Sequence, residues 1–571
     1  MTRLFFLIIA FLWSSSAFAT VYYVDYVGGA DTNNGTDTGT PFKHCPGDTA
    51  ATSNAAALTP AAGDYIVFKG GVTYPFTAGG YITIKSSGSA GSGDVTYISG
   101  HVYSPQWGTS RAAIDGANSG INNYGILDVT SKNYITIKGL EMVNQPTNGE
   151  GNAFIGAENS APVWSHITID NCYMHNTNGN AIYMRGLYDS GATHPSYLVV
   201  ENSDFEDSYA HLLQISWGID HTTIINNYFK NFGSDPYSAG GPLANAIILS
   251  GTMDQSNWTI SRNYDTLISG NEFYAQVNGK KSIILFQNNC QSLTVEENYF
   301  HGTPNVSVID HTAPQTNYTI RNNIFAAYPV WLEGILRFWT DQGFTITSDA
   351  IHIYNNTFVG TPALEAIMYF YKGDSPADTS FTNLDIRNNI IDTDANDKDL
   401  IHISNNAAAT GPVVQMSTFT CDYNRYNAGT NATPFWYRGT NYSLTNWKST
   451  IQAAGATGAD NHSAMGTVTF TSRATLDFTL SASDTVATGN GVDLSASFTT
   501  ALISPKLFPT PNTGTRSAPW DIGAYKAGSG GDSPVNITGQ GGTGGAATLT
   551  VTGYQVTTLA PTVTSTVVHF Q

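Results

Sequence analysis

From about Ile126 onward the chain repeats one phrase. β-branched and other apolar residues alternate with polar ones, then comes Asn or Asn-Asn, then an aromatic. It reads HITIDNCYMHN at 166–176, YLVVENSDFED at 197–207 and HTTIINNYFKN at 221–231. It continues as DTLISGNEFYA at 265–275, SLTVEENYFHG at 292–302, YTIRNNIFAA at 318–327, IHIYNNTFVG at 351–360 and LDIRNNIIDT at 384–393. Counted at the last Asn of each, the positions 171, 202, 227, 271, 298, 323, 356 and 389 are 31, 25, 44, 27, 25, 33 and 33 residues apart. Alternation of period two predicts a strand with one buried face. Asn tolerates left-handed backbone and marks a tight turn after it. A second strand follows in most repeats, as in NAIYMRG, LLQISWG, SIILFQN, ILRFWTD and IMYFYKG. A unit of about 25 residues, lengthened in places by loops, is one coil of a solenoid. The expected fold is all-β, a right-handed parallel β-helix, with Asn amides bonded coil to coil and the following aromatics stacked inside. Long helical i, i+3, i+4 patterns are absent.

The ends of the chain read differently. Residues 1–19 carry a basic start, an apolar run from Leu4 to Trp13 and an Ala17-Phe18-Ala19 end, which is the pattern of a secretory signal peptide. No later segment has the length and apolarity of a membrane span. Residues 20–125 read as an N-terminal cap and first coils, 126–427 as the central β-helix and 428–526 as C-terminal coils and cap. A Gly-rich linker covers 527–547, and a Thr/Val-rich β tail at 548–571 offers an edge for self-association.

Charge narrows the partners. Lys and Arg number 24 and Asp and Glu 43, so the formal charge is 24 − 43 = −19. Such a chain cannot neutralise a run of phosphates, which excludes nucleic acid. Charged residues make up only 12%, so Asn, Thr, Ser, Gly and Tyr must cover the surface. The four cysteines, Cys45, Cys172, Cys290 and Cys421, lie far apart without a C-x-x-C pair. That argues against zinc or redox chemistry and leaves one disulfide or buried free thiols.

Several phrases resemble secreted β-helix proteins of the pectate-lyase-like superfamily. VYYVDYVGGADTNNGTDTGTPFKH (21–44) resembles their opening, AAGDYIVFKGGVTY (61–74) and SKNYITIKGLEMVN (131–144) their first coils, and PWDIGAYK (519–526) their closing phrase. The resemblance implies the fold and a secreted protein acting on or binding polysaccharide. It leaves open polysaccharide lyase, glycoside hydrolase, and noncatalytic surface, filament-forming or adhesin function. β-helix lyases similar to alginate lyase pair a Lys with an Arg on the next coil. This chain has Lys280 and Lys281, but its next coil, NVSVIDHT, has no Arg.

Aligning the second strands on an inward residue (Met184, Ile215, Leu249, Leu285, Val308, Phe338, Phe370, Ile403) puts Ile284 and Ser307 among the outward ones. On this alignment the outward face is bland in the middle. It becomes rich toward its C-terminal end, with Arg337, Trp339, Tyr369, Tyr371 and His402, and with Asp310, His311, Asp341, Lys372 and Asp374 just past the strands. Rings stack on sugars, and Arg, Asp and His bond to hydroxyls and carboxylates. A lyase needs a base and a cation, for which Arg337, Lys372 and His311 are candidates. A hydrolase needs two carboxylates, for which Asp310, Asp341 and Asp374 come from successive coils. Trp339, Tyr369, Tyr371, His402 and Asp374 are the candidate substrate-binding residues. Two further clusters read as turns or caps before metal sites: Asp204, Glu206, Asp207 and His211, and the oxygen-rich DTNNGTD at 31–37, where Ca²⁺ is possible.

Overall fold

The computed structural model describes residues 19–527 except for short segments at 77–78, 118–124, 146–151, 159–161, 187–192, 233–244, 252–261, 276–281, 305, 313–314, 328–333, 341–346, 361–365, 374–379, 394–397, 406–411 and 505–507. The expected signal peptide, apart from Ala19, the tail and all but the first residue of the linker lie outside the described residues, as do Asp341, Asp374, Lys280 and Lys281.

Three long parallel sheets run the length of the molecule. The first holds 14 strands, from Val21–Val24 through Ser165–Asp170 to Thr420–Asp422. The chain then turns into a strand of the third sheet, such as Tyr173–Thr177, and passes on to the second sheet, such as Asn180–Arg185. Each sheet pairs a strand with the equivalent strand of the next coil. This is a right-handed parallel β-helix, the hand being that of parallel crossovers generally. Coiling starts at Val21, well before the clear repeats. The early strands lack the Asn phrase and are short, some of two residues, so their period is faint in the sequence.

The Asn-Asn pair divides its labour. The first residue adopts the left-handed conformation, with φ of 58° at Asn226, 54° at Asn322, 50° at Asn355 and 59° at Asn388. The second points inward and builds the ladder. The backbone N–H and Nδ2 of Asn271 both donate to Oδ1 of Asn298, at 2.9 and 3.0 Å. Asn298 does the same to Asn323, Asn323 to Asn356, and Asn356 to Asn389. These amides are fully buried, and the ladder supplies the partners that burial demands. In the first two repeats Asn171 and Asn202 are the left-handed residues, at φ of 52° and 51°. Cys172 and Ser203 hold the ladder positions there, so counting at the last Asn shifts those two coils by one residue.

The aromatics after the ladder stack inside as expected. Phe205, Phe229, Phe273, Phe300, Phe325 and Phe358 form a continuous column, with ring centroids 4.6–5.0 Å apart. All four cysteines are buried free thiols, and no disulfide forms. No helix among the described residues is long and apolar enough to cross a membrane.

Two elements finish the solenoid. The helix Leu444–Ala453, capped by Ser443, buries Trp447 and Ile451 against the last coil, where Trp447 stacks on Phe435 at 5.3 Å. Beyond it the chain adds one short strand, Ala464–Met465, to the end of the third sheet and, among the described residues, no further full coil. Residues 468–525 run back along the outside, placing Phe470, Phe478, Leu480, Leu502, Ile522 and Tyr525 on Tyr299, Ile324, Ala326, Val359 and Ile390 of the third sheet. The DIGAY phrase belongs to this returning strap.

Candidate functional site

The backbone pairing of the second sheet defines which side chains share a face. One outward column reads Tyr183, Gln214, Ile248, Leu285, Asp310, Arg337, Tyr369, His402 and Trp436, each in register with the next. The inward column beside it reads Met184, Ile215, Leu249, Phe286, His311, Phe338, Phe370 and Ile403. The sequence alignment slipped in two coils. Phe286, not Leu285, is the inward residue in register with Leu249, and His311, not Val308, is the one in register with Phe338, Val308 being buried in the core as well.

That slip corrects the expected roles. His311 is not an outward base: it is 1% exposed, between Phe286 at 4.9 Å and Phe338 at 4.5 Å in parallel stacks. Neither of its ring nitrogens finds a hydrogen-bond partner among the described residues. Burial holds its pKa well below the ordinary histidine value, so it is neutral. Asp310, expected past a strand end, lies within the strand Ser307–His311 and faces outward. Lys372 is also buried, at the end of its strand, in register with Thr340 and Asn405.

The remaining candidates form one connected group. Arg337 Nη1 lies 3.2 Å from Asp310 Oδ2, which also accepts from Ser282 Oγ at 3.2 Å. The Arg337 guanidinium sits 4.0 Å from the centre of the Trp339 ring. Trp339 meets Tyr371 edge to face at 5.4 Å, and Tyr371 stacks with Tyr369 at 5.8 Å. Tyr369 lies 4.8 Å from His402, which stacks flat on Trp436 at 5.1 Å. Trp339 and Tyr371 are half-buried, while Asp310 and Arg337 are 4% and 5% exposed. Trp339 and Tyr371, not the ion pair, therefore reach the surface.

His402 has a positioning partner. Its Nδ1 lies 2.8 Å from Asp399 Oδ2, and Asp399 Oδ1 accepts from Asn441 Nδ2 at 2.9 Å. A proton on Nδ1 donated to the carboxylate leaves Nε2 as the acceptor, so the imidazole can take up a proton. Sequence reasoning missed Asp399, Ser282 and Trp436. Asp399 is the first residue of its strand, Asp399–Asn405, ahead of the apolar run, and Trp436 lies in PFWYRG, outside the Asn phrase. No group of three or more His, Cys, Asp or Glu among the described residues is placed to hold a metal ion. Asp31 of the oxygen-rich segment is a cap: its carboxylate accepts from His44 and Thr52. Glu206 is taken up by Tyr173 and Lys230, and His211 accepts from Asn245.

No protein-family model matches the sequence. The chain is 27% identical to the lacto-N-biosidase of Bifidobacterium longum subsp. longum over a stretch covering 38% of this chain and 16% of that protein. The match thus takes in about a sixth of the relative's length. Among solved structures, the GH136 lacto-N-biosidase from Eubacterium ramulus aligns with 74% of this chain and 68% of its own, at 12% identity and a TM-score of 0.41. Pectate lyase Pel9A aligns with 90% of this chain and 98% of its own, at 16% identity and a TM-score of 0.38.

Proposed function

We propose that this is a secreted carbohydrate-active protein that binds a glycan along the outer face of the second sheet, between Asp310 and Trp436, and cleaves it. One observation carries the reading: Arg337, Tyr369, His402 and Trp436 occupy the same outward position on four successive coils. Coils stack about 4.8 Å apart, close to the advance of one sugar residue along a chain, although Arg337, Tyr369 and His402 are buried and Trp436 is the more exposed of the four. The sequence similarity to a lacto-N-biosidase supports the carbohydrate class.

In this reading Trp339 and Tyr371 supply stacking surface, and Arg337, buried against Asp310, would have to leave that ion pair to bind a hydroxyl or carboxylate of the sugar. His402, oriented by Asp399, transfers the proton. Lyase chemistry would use Arg337 to neutralise a uronate carboxylate while the base takes the adjacent proton. Hydrolysis would pair Asp310 with Asp341 or Asp374. A second reading, glycan binding without turnover, is favoured by the buried ion pair of Asp310 with Arg337.

Incubation with uronate and neutral polysaccharides separates the three. Absorbance from unsaturated products marks a lyase, and reducing ends without that absorbance mark a hydrolase. Turnover is expected to fall by about 100-fold or more in His402→Ala, the scale of a lost proton-transfer group. Binding without either product would establish the second reading, and neither binding nor product would refute both.

A further inference from the structure

A second groove lies on another face. It has a volume of about 870 Å³ and lies over the first four strands of the first sheet. That volume falls within the range of about 300–1,000 Å³ usual for ligand sites, room for a few sugar rings. Its floor is the outward column Val21, Tyr65, Thr96 and Thr136, in register across coils, with Ile98 and Lys138 beside it.

The walls are two excursions of the chain. One is the turn closed by Ser89 and Gly93. The other runs from Gly100 to Trp107 and is pinned to the solenoid. Gly100 N donates to Phe68 O at 2.6 Å, and Gly70 N donates to Trp107 O at 2.9 Å. A Cβ on Gly100 would come 2.1 Å from Trp107 O, and one on Gly108 2.2 Å from Gly70 O, so only glycine permits this close seating. Trp107 meets Tyr23 edge to face at 5.2 Å, and Tyr103 lies 5.9 Å from Tyr65 with its ring tilted 55°. The two tyrosines therefore form a fixed, angled shelf beside the threonine floor.

The charges in the groove are muted. Asp94 Oδ2 accepts from Thr136 Oγ1 at 2.6 Å, and Lys138 is paired with Asp170 at 2.7 Å. The groove thus offers aromatic rings, hydroxyls and one carboxylate, with no unpaired cation to attract a polyanion. We propose that it is a second glycan-binding groove, selective for neutral over uronate-rich chains, and separate from the face bearing Arg337. Ring stacking and hydroxyl contacts would hold the chain, as they do for neutral sugars generally. This proposal stands whether or not the second-sheet face cleaves anything.

Hydrogen exchange read by mass spectrometry locates the binding. Cellohexaose, xylohexaose and hexagalacturonate are the probes. At least one of the two neutral hexasaccharides is expected to slow exchange in peptides covering 89–107, and hexagalacturonate is not. The apparent affinity read from that protection is expected to drop about tenfold in Tyr103→Ala, the loss of one ring contact. Asp94→Asn is expected to weaken it with the shelf left whole, which guards against misfolding of the alanine variant. No protection by either neutral probe, protection unchanged in both variants, or protection by hexagalacturonate alone would overturn the proposal. Arg337→Ala, on the other face, is expected to leave the 89–107 protection in place.

Discussion

The two faces of the second sheet carry the same kinds of ring with opposite consequences. Inside, Phe286, His311, Phe338 and Phe370 stack in one column, with centroids 4.5–5.0 Å apart. Outside, the strands of Phe338 and Phe370 present Arg337 and Tyr369, and the next two coils present His402 and Trp436, with a carboxylate on Arg337 and on His402. Each column contains one histidine. The inner one is neutral and enclosed by rings, and the outer one is held by Asp399. Only the parity of the strand separates a packing residue from a chemical one, because neighbouring side chains point to opposite faces.

The largest expected effect is on the inner column. Phe338→Ala should lower the unfolding free energy by about 3–5 kcal/mol, the range for an enclosed aromatic. Tyr371→Ala, on the outer face, should cost about 1 kcal/mol, the scale of an aromatic pair. Equal losses in denaturant titrations would break the distinction between the faces. Next comes His311→Phe, which keeps the stack and removes two unsatisfied nitrogens. It should stabilise the protein by about 1–3 kcal/mol at pH 7. Because the folded His311 pKa is depressed, the unfolded chain binds the proton more readily. Wild-type stability is therefore full above the unfolded value of about 6.5 and falls as the pH drops below it. The advantage of His311→Phe should widen between pH 7 and pH 5, and an unchanged gap in melting temperature would count against a buried neutral imidazole. The smallest effect is expected for His402→Phe. His402 and Asp399 are both buried and hydrogen-bonded to each other, so stability should fall by about 1 kcal/mol while glycan turnover is lost. A larger loss of stability would make the outer histidine a packing residue too.

The solenoid was legible in the sequence because its period is carried by local patterns: alternation, the Asn pair and the aromatic after it. Within the second sheet, the register was legible where a coil contained a long apolar run with one clear bulky inward residue, as at Phe338 and Phe370. It was lost at Phe286 and His311. SIILFQN is apolar at both parities, and VSVIDHT places the inward ring on a polar residue, so hydrophobicity could not choose between the two alternations. Arg337, Tyr369 and His402 were recognisable because they are the unusual residues in otherwise apolar strands. Asp399 and Trp436 were not, since each acts through a neighbour in another part of the chain. Within the C-terminal coils and cap expected at 428–526, the strap at 468–525 was not legible as a separate element for the same reason: its contacts join residues far apart in sequence, and no local pattern records them.

That strap alters how the molecule should come apart. A repeat array in which each coil touches only its neighbours can fray from an open end. Here the left-handed Asn residues of three coils hold the returning chain from outside. Asn322 Nδ2 donates to Thr500 O at 3.0 Å, Asn355 Nδ2 to Asp521 O at 2.9 Å and Asn388 Nδ2 to Val492 O at 2.8 Å. Arg516, buried within the strap, donates back to Asn322 Oδ1 at 3.1 Å, and Thr510 N reaches Gly270 O at 3.2 Å. The last coil cannot peel away until this lashing is released along several coils at once. A stack that would otherwise unravel ring by ring is thereby tied into a bundle that yields as one piece.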